Sequence, residues 1–388
     1  MIDLAEVREA LSKSGVDGWL LFDFHGLNPV AGRVLGLKGM NTRRLFVLLP
    51  RTGEPVAVVH KIELQGLEDF PGRVVPYARW SELHEALASL VSGRTLAMEI
   101  SPDDAVPYLD RVPYGVVELL RRLGATVVPS GALVSRFAAR WSPSEADDHR
   151  AAAEILASVA RETLSAVVQE TDGTLTESAL QARVIAAVEA GGLVFDAPPI
   201  VGFGANSAKP HYEPHPGQDA TLRPGSVILL DLWAGRSHST VFADQTWIGF
   251  AGSRPPEQVE RVWRVVRQAR DAAIATVRQA AAERRSIAGF EADRAARSVV
   301  EAAGFGDSFV HRTGHSIDRD LHGSGPHLDD YETHDDRLLI PGVGFSVEPG
   351  IYLPGEFGIR SEVNMHWGER GPEVTPREPQ TDLILAGS

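Results

Sequence analysis

Two aspartates, Asp231 and Asp244, stand inside apolar runs whose other members belong in a protein core: VILLDLW and STVFADQTWIGF. The length of these runs and their Val, Ile, Phe and Trp content predict strands. The intervening AGRSHS has the Gly and Ser of a hairpin loop. A buried carboxylate without a partner is costly, so each aspartate needs a cation, a proton or several donors. If the two runs pair, two carboxylates meet across a sheet, and a divalent metal ion is the natural partner. The structural alternative is a strand-end aspartate that occurs twice.

The last hundred residues hold the remaining candidate ligands. HRTGHSIDRDLHG carries His311, His315 and His322, with glycines at 314 and 323 that let the backbone approach a site closely. GVGFSVEPGIY reads as a strand ending in a Pro-Gly turn. Alternation places Val343, Phe345 and Val347 on one face and Gly344, Ser346 and Glu348 on the other. The small residues beside Glu348 leave room for something to bind. GIRSEVN repeats the pattern, with Ile359, Ser361 and Val363 opposite Arg360, Glu362 and Asn364. Any one of these glutamates could lie on a solvated face. Four carboxylates and a histidine in such settings point to a shared site.

These residues need a scaffold. At 388 residues the chain is long enough for two domains, each with its own core. A hydrophobic content of 43% with 23% charged residues is that of an ordinary globular protein. The net charge of -14 argues against nucleic acid or an anionic membrane surface as partner. With no cysteine there is neither disulfide nor thiolate, so a metal would be held by oxygen and imidazole. The opening MIDLAEVREALSKSG reads as a capped amphipathic helix with no signal-peptide features, and no apolar run reaches spanning length, so a cytoplasmic protein is expected.

Through the first third, strand-like pieces (GWLLFDF, RRLFVLL, PVAVVH, TLAMEI, ATVVP) alternate with helical stretches near Ser81–Leu90 and Tyr114–Leu123, an α/β domain with no phosphate-loop or dinucleotide-binding glycine pattern. A boundary is expected near Arg136–Trp141, giving domains 1–137 and 138–388. Ser142, Pro143 and Glu145 have the spacing of a capping box and should open a long helix; Thr174 and Glu177 repeat the box. Pro255 opens another helix with Val259, Val262, Val266 and Ala269 on one stripe, and a shorter one runs from about Phe290 to Ala303. His25, His60, His84, His215, His238, His327 and His334 carry no chemistry on this reading.

The order Asp, Asp, His, Glu, Glu, with His-x6-His, E-P-G-I-Y and G-I-R-x-E, resembles the pita-bread metallopeptidases. That family includes Xaa-Pro dipeptidase (prolidase), Xaa-Pro aminopeptidase, methionine aminopeptidase and metal-free relatives such as creatinase. The resemblance covers Trp141 to the C-terminus. It implies an α+β fold: a C-terminal pita-bread catalytic domain preceded by an α/β N-terminal domain of the creatinase/prolidase type. It also implies a dinuclear centre. Asp231 would chelate one ion, His315 and Glu348 the other, and Asp244 and Glu362 would bridge both. Four carboxylates balance two divalent cations, and the donor set suits manganese, cobalt, zinc or iron without choosing among them. Such a pair holds a bridging water and polarises the scissile carbonyl. By the same resemblance His211, in IVGFGANSAKPHY, lies beside the substrate, and His322 stabilises the tetrahedral intermediate or relays its proton. Arg360 either holds Glu362 by a salt bridge or forks the free carboxylate of a short peptide.

Asp231 and Asp244 are 13 positions apart, two more than is usual in the family. Where relatives read Y-x-x-D-x-T-R-T, this chain has Val241, Asp244, Thr246 and Trp247: the hydroxyl beside the metal is kept, and the tyrosine and arginine are absent. The expected activity is Xaa-Pro dipeptidase, with Xaa-Pro aminopeptidase acting on longer peptides as the alternative. A metal-free creatinase-like hydrolase or a non-catalytic binding module is the alternative of a different class. The partners implied are proline-containing di- or short peptides and, by resemblance, a second copy in a homodimer.

Overall fold

The computed structural model describes residues 3–37, 39 and 41–387. It divides into two compact units, Met1–Ala138 and Ala139–Ser388.

In the first unit, α1 (Leu4–Ser14) starts at Asp3, whose carboxylate accepts from the Ala5 and Glu6 amides, and ends at a left-handed Gly15. The strands β1 (Gly18–Asp23), β2 (Leu45–Pro50), β3 (Val56–His60), β4 (Arg73–Tyr77), β5 (Thr95–Met98) and β6 (Thr126–Pro129) form one mixed sheet in the order β4-β3-β2-β1-β5-β6. The helices α2 (Pro29–Leu35), α3 (Trp80–Val91), α4 (Tyr114–Arg122) and α5 (Gly131–Phe137) complete the unit. The helical stretches expected near Ser81–Leu90 and Tyr114–Leu123 are α3 and α4. The strand that pattern reading passes over is β4, which sits at the sheet edge, is largely unburied and contains Pro76. Glu99 lies buried at the centre of this unit. It accepts from Trp19 Nε1 (2.6 Å), Asn28 Nδ2 (2.9 Å) and Ser130 Oγ (3.0 Å), and burial among these neutral donors raises its pKa.

The second unit begins with α6 (Pro143–Val167), closed by the expected reciprocal box: Ser142 Oγ accepts from the Glu145 amide, and Glu145 accepts from the Ser142 amide. The next helix, α7 (Glu177–Ala190), corrects the sequence reading. Its cap is Thr176, not Thr174, which pairs with Asp172 instead. Glu177 is therefore the first helical residue, and its side chain turns away from the helix.

Next come β7 (Ile200–Phe203), β8 (Val227–Ala234) and β9 (Ala243–Phe250), then α8 (Glu257–Ala282) and α9 (Gly289–Ala302). The chain ends with β10 (Ser316–Ile317), β11 (Gly344–Val347), β12 (Gly350–Leu353), β13 (Phe357–Arg360), β14 (Val363–Gly368), β15 (Gly371–Thr375) and β16 (Ile384–Leu385). Two four-stranded sheets, β16-β9-β8-β7 and β10-β11-β14-β15, and the β12-β13 ribbon carry the site.

Strand alternation divides the faces of the first sheet. Ile228, Leu230, Leu232, Ala243 and Trp247 pack with α6 and α7, whereas Val227, Leu229, Ile248 and Phe250 join the core built with α8, α9 and β11. Asp231, Asp244 and Thr246 continue this second face beyond its apolar end. β11 follows the same rule, with Phe345 and Val347 in the core and Ser346 and Glu348 turned from it. GVGFSVEPGIY ends its strand at the expected Pro-Gly turn, and GIRSEVN, which alternation reads as one run, is interrupted too. Each bends, at Glu348–Pro349 and at Ser361–Glu362, and passes from one sheet to the β12-β13 ribbon or back.

His149 on α6 is wholly buried. The Phe242 carbonyl can only accept, so Nδ1 carries the proton (2.9 Å) and the bare Nε2 accepts from Thr375 Oγ1 (2.8 Å). Burial depresses its pKa to about 4, with His366 adding repulsion. The folded-state pKa is thus below the unfolded value of about 6.5. Its contribution is fully present above the unfolded pKa and is lost as pH falls toward 4, because the unfolded chain takes up the proton first. The shift corresponds to on the order of 3 kcal/mol. His149→Gln should therefore flatten the loss of stability between pH 6.5 and pH 4, read as urea midpoints; a wild-type slope in the variant would show that His149 does not ionise on unfolding.

Candidate metal centre

Register sets the first two carboxylates. Asp231 pairs with Thr246 and Asp244 with Trp233, so the aspartates lie two residues out of register on one face of the β8–β9 hairpin. The hydroxyl of Thr246 lies between them and their neighbours, 3.0 Å from Asp231 Oδ1 and 2.8 Å from Glu362 Oε2, and it accepts from Arg360 Nε at 2.8 Å. Asn364 Oδ1 takes the Asp244 amide at 2.8 Å and so ties β9 to β14.

His315 arrives from the opposite sheet. A Cβ on Gly314 would stand 2.0 Å from the Ser346 carbonyl, so only glycine allows the chain to lie this close to β11. The Ser346 hydroxyl accepts from the His315 amide (2.9 Å) and donates to Glu348 Oε1 (2.9 Å). The room that small residues leave beside Glu348 is thus filled by a hydrogen bond that fixes two candidate ligands. His315 Nε2 then lies 3.4 Å from Glu348 Oε1 and 3.5 Å from Asp244 Oδ2.

All five candidate ligands are buried. One ligand atom from each of Asp244, His315 and Glu362 lies within 4.8 Å of the other two. Glu348 joins this cluster through His315, and Asp231 joins through Thr246 and an ion pair with Arg360. Of the two roles expected for Arg360, the geometry shows a salt bridge. The guanidinium pairs with Asp231 foremost, and its Nε lies 3.9 Å from Glu362.

The electrostatics report crowding of negative charge. Burial raises Glu362 well above the usual carboxylate range, with Asp244, Glu348 and Asp231 adding to the effect. Burial likewise pushes Asp244 up to about 6, against the pull of His315. Burial also opposes ionisation of Glu348, yet His315, Arg360, His311 and the Ser346 hydroxyl hold it at about 2. His315 is raised in spite of burial by Asp244 and Glu348, and Arg360 is raised, also against burial, by Asp231. Without a cation, then, two carboxylates of the cluster favour their protons. Among the described residues, Glu362 Oε1 is buried with no hydrogen-bond partner. Hard oxygen donors, one imidazole and an unmatched buried carboxylate oxygen fit a divalent cation.

The other expected residues lie at the edge. His322 keeps part of its surface exposed, with its ring centred 4.4 Å from that of His315; burial of the rest of the ring and repulsion from His315 lower it to about 4. His211 is exposed on the loop after β7, close enough for its charge to act on His322. His311, one of the histidines first offered as a ligand, instead pairs with Tyr352, to which sequence reading gave no role. His311 Nδ1 donates to the Arg312 carbonyl (2.7 Å), so its Nε2 accepts from Tyr352 Oη (2.8 Å). The signal was present in the tyrosine of E-P-G-I-Y, four residues after Glu348. His327 is a correction. Given no chemistry on sequence grounds, it is fully buried, and its Nδ1 accepts the Ser316 amide (3.0 Å) next to the candidate ligand His315.

The pattern of metallopeptidase family M24 matches residues 147–368. A probable dipeptidase, PepE, of Mycobacterium bovis is 27% identical over 335 residues, 85% of this chain and 82% of that protein. An Xaa-Pro dipeptidase of Lactobacillus helveticus is 34% identical over 163 residues, 42% of this chain and 40% of its own length. The crystal structure of dipeptidase PepE from Mycobacterium ulcerans superposes with a TM-score of 0.74 at 24% identity, covering 99% of this chain and 96% of that one, so the fold is shared.

Thr246→Val keeps shape and removes only the hydroxyl shared by Asp231, Glu362 and Arg360. It should weaken manganese affinity roughly 10–100-fold with the fold retained, by calorimetric titration; unchanged affinity would separate Thr246 from the centre. Because Glu362 is raised well above the usual carboxylate range and Asp244 to about 6, metal uptake near pH 6 should release protons. The binding heat should then depend on buffer ionisation enthalpy, and a buffer-independent heat would contradict the assignment.

Proposed function

The chain belongs to metallopeptidase family M24, and on that premise we propose that it is a metal-dependent dipeptidase cleaving the bond before proline. One observation carries the reading. Asp231, Asp244, His315, Glu348 and Glu362, drawn from two sheets and the turns that join them, converge on one buried cluster whose charge a pair of divalent cations would balance. The dipeptidase names of relatives that span most of the chain support the order of preference over an aminopeptidase.

In this reading Asp231 would hold one ion, His315 and Glu348 the other, and Asp244 and Glu362 would be shared between them. Bound there, the ions would activate a water and polarise the scissile carbonyl. The chain's own groups do the rest. Arg360 holds Asp231 in place, and Thr246 fixes the second oxygen of Glu362 so that the first is left for coordination. Neutral near pH 7, His322 can donate a hydrogen bond to the developing oxyanion, or take up the proton that the attacking water loses and pass it to the proline nitrogen as it leaves. His211, exposed on the same side, lies beside the substrate. Among the described residues no helix is long and apolar enough to cross a membrane.

Reconstituted with manganese, the protein should hydrolyse Ala-Pro faster than Ala-Pro-Ala, measured as kcat/KM; preference for the tripeptide would establish the aminopeptidase instead. Glu362→Ala should remove turnover while leaving the far-ultraviolet circular dichroism unchanged, and retained turnover would contradict the bridging role.

A further inference from the structure

His211 is exposed, and its imidazole makes no hydrogen bond to any described residue. Such a side chain stands wherever its backbone puts it. The backbone here belongs to the long connection between β7 and β8. Its first part, a 3-10 turn at Gly204–Ala208, is fastened to β13 by Ser207, whose hydroxyl accepts from the Gly358 amide at 2.8 Å. Residues 208–216, which include His211, take one side-chain hydrogen bond from outside the connection among the described residues. It runs from the Tyr212 hydroxyl to Glu177 at 2.7 Å.

Glu177 is fully buried, and it gathers the connection at four points. Its Oε1 accepts from the Phe203 amide at 2.6 Å and from Asn206 Nδ2 at 3.1 Å. Its Oε2 accepts from Tyr212 Oη, from the Ala220 amide at 2.8 Å and again from Asn206 Nδ2 at 3.1 Å. Asn206 in turn holds Lys209 Nζ at 2.8 Å, and the Lys209 carbonyl accepts the Tyr212 amide at 3.1 Å. His211 thus lies in a short span closed at both ends on one carboxylate. A carboxylate accepting this many donors is satisfied in place and has a single low-energy orientation. Nothing about helix capping requires it, since Thr176 already caps α7.

We propose that Glu177 is a positioning residue for hydrolysis: through Asn206, Tyr212 and Ala220 it sets where His211 stands beside the metal cluster. The proposal rests on the reading of His211 as a substrate neighbour. Glu177 touches neither substrate nor the candidate ligands, so its effect passes through the loop alone and falls on turnover, not on metal content.

Two variants test this. Tyr212→Phe deletes one hydroxyl and keeps the ring, so it leaves the rest of the Glu177 network to fold the protein. Glu177→Gln keeps length and turns one acceptor into a donor facing donors. With manganese bound, Tyr212→Phe should lower kcat for Ala-Pro at least about tenfold, as expected for a misplaced catalytic neighbour, with metal stoichiometry unchanged. In a His211→Ala background the same substitution should cost less than about twofold. A further tenfold loss there would overturn the proposal, because the hydroxyl would then act without His211. Independently of activity, the His211 ring proton, identified by its loss in His211→Ala, should shift or broaden in Tyr212→Phe and in any folded Glu177→Gln. An unmoved signal would overturn the positioning even if the protein hydrolyses Ala-Pro. Wild-type protein inactive on every dipeptide would reject the proposed activity, while the ring-proton measurement still decides the anchoring.

Discussion

Buried negative charge is the constraint on which the catalytic unit depends. Asp231, Asp244, Glu348 and Glu362 are each less than a tenth exposed. Like charges confined at this distance in a weakly polar medium raise one another's cost of ionisation. The protein answers with position more than with countercharge. Arg360 and His315 supply the nearby positive charge, and the rest of the support comes from neutral groups: Thr246, Ser346 and Asn364. A cluster neutralised wholly by arginines and lysines would be a set of ion pairs with no call for a cation. This one is left short, with Glu362 Oε1 unpaired and two carboxylates drawn toward protonation. That shortfall suits the cluster to a cation, and the sheets on either side of it keep the candidate ligands from relaxing apart.

What the sequence disclosed and what it withheld divide along a physical line. Strand alternation is local, so the placement of Ser346 and Glu348 opposite Phe345 and Val347 could be read from one short run. The face shared by Asp231 and Asp244 needed only the further assumption that two neighbouring runs pair. The break after Glu348 was announced by its Pro-Gly pair, but the bend at Ser361–Glu362 was hidden, because leaving one sheet for another is decided by partners distant in the chain. Hydrogen-bond partners were hidden for the same reason. Nothing near Asn364 in the sequence says that its side chain will take the amide of Asp244, 120 positions away. Thr174 and Glu177 mimic a capping box, yet the chain turns into α7 two residues later. The glutamate so released serves a different loop.

The departures from the common family pattern fall where they leave the ligands undisturbed. On β9, Asp244 and Thr246 face the cluster, and alternation sends Gln245 and Trp247 to the other side. There Trp247 Nε1 donates to Gln245 Oε1 at 2.9 Å, and Gln245 Nε2 donates to the Ala153 carbonyl of α6 at 2.8 Å. A neutral pair therefore fastens strand to helix at the position where relatives carry arginine. Val241 is buried in a small apolar group with Trp141, Ala146 and Ile317. Both changes alter the packing behind the centre, with the coordinating face kept intact.

The two classes of functional side chain are held in different ways, and the difference follows from what each must do. Ligands have to resist mutual repulsion, so they sit on strands or directly beside them, where backbone pairing fixes direction along with position. On the proposed reading His211 and His322 meet a substrate that arrives and departs, and both are exposed on connections open to solvent. An open connection has little packing to define it, and a buried carboxylate can substitute. Glu177 does this for the His211 connection. Asp318, itself buried, does it for the turn that bears His322, where it accepts from the Asp320 amide (2.9 Å) and the Ser324 amide (2.9 Å). A Cβ at Gly323 would stand 2.8 Å from the Asp318 carboxylate, so the turn closes on it only with glycine there. A carboxylate is suited to this work because it accepts several backbone amides at once and donates to none. The fold thus uses one functional group for two ends: crowded together, carboxylates create the demand for a cation, and set apart among amides, they hold exposed loops in place.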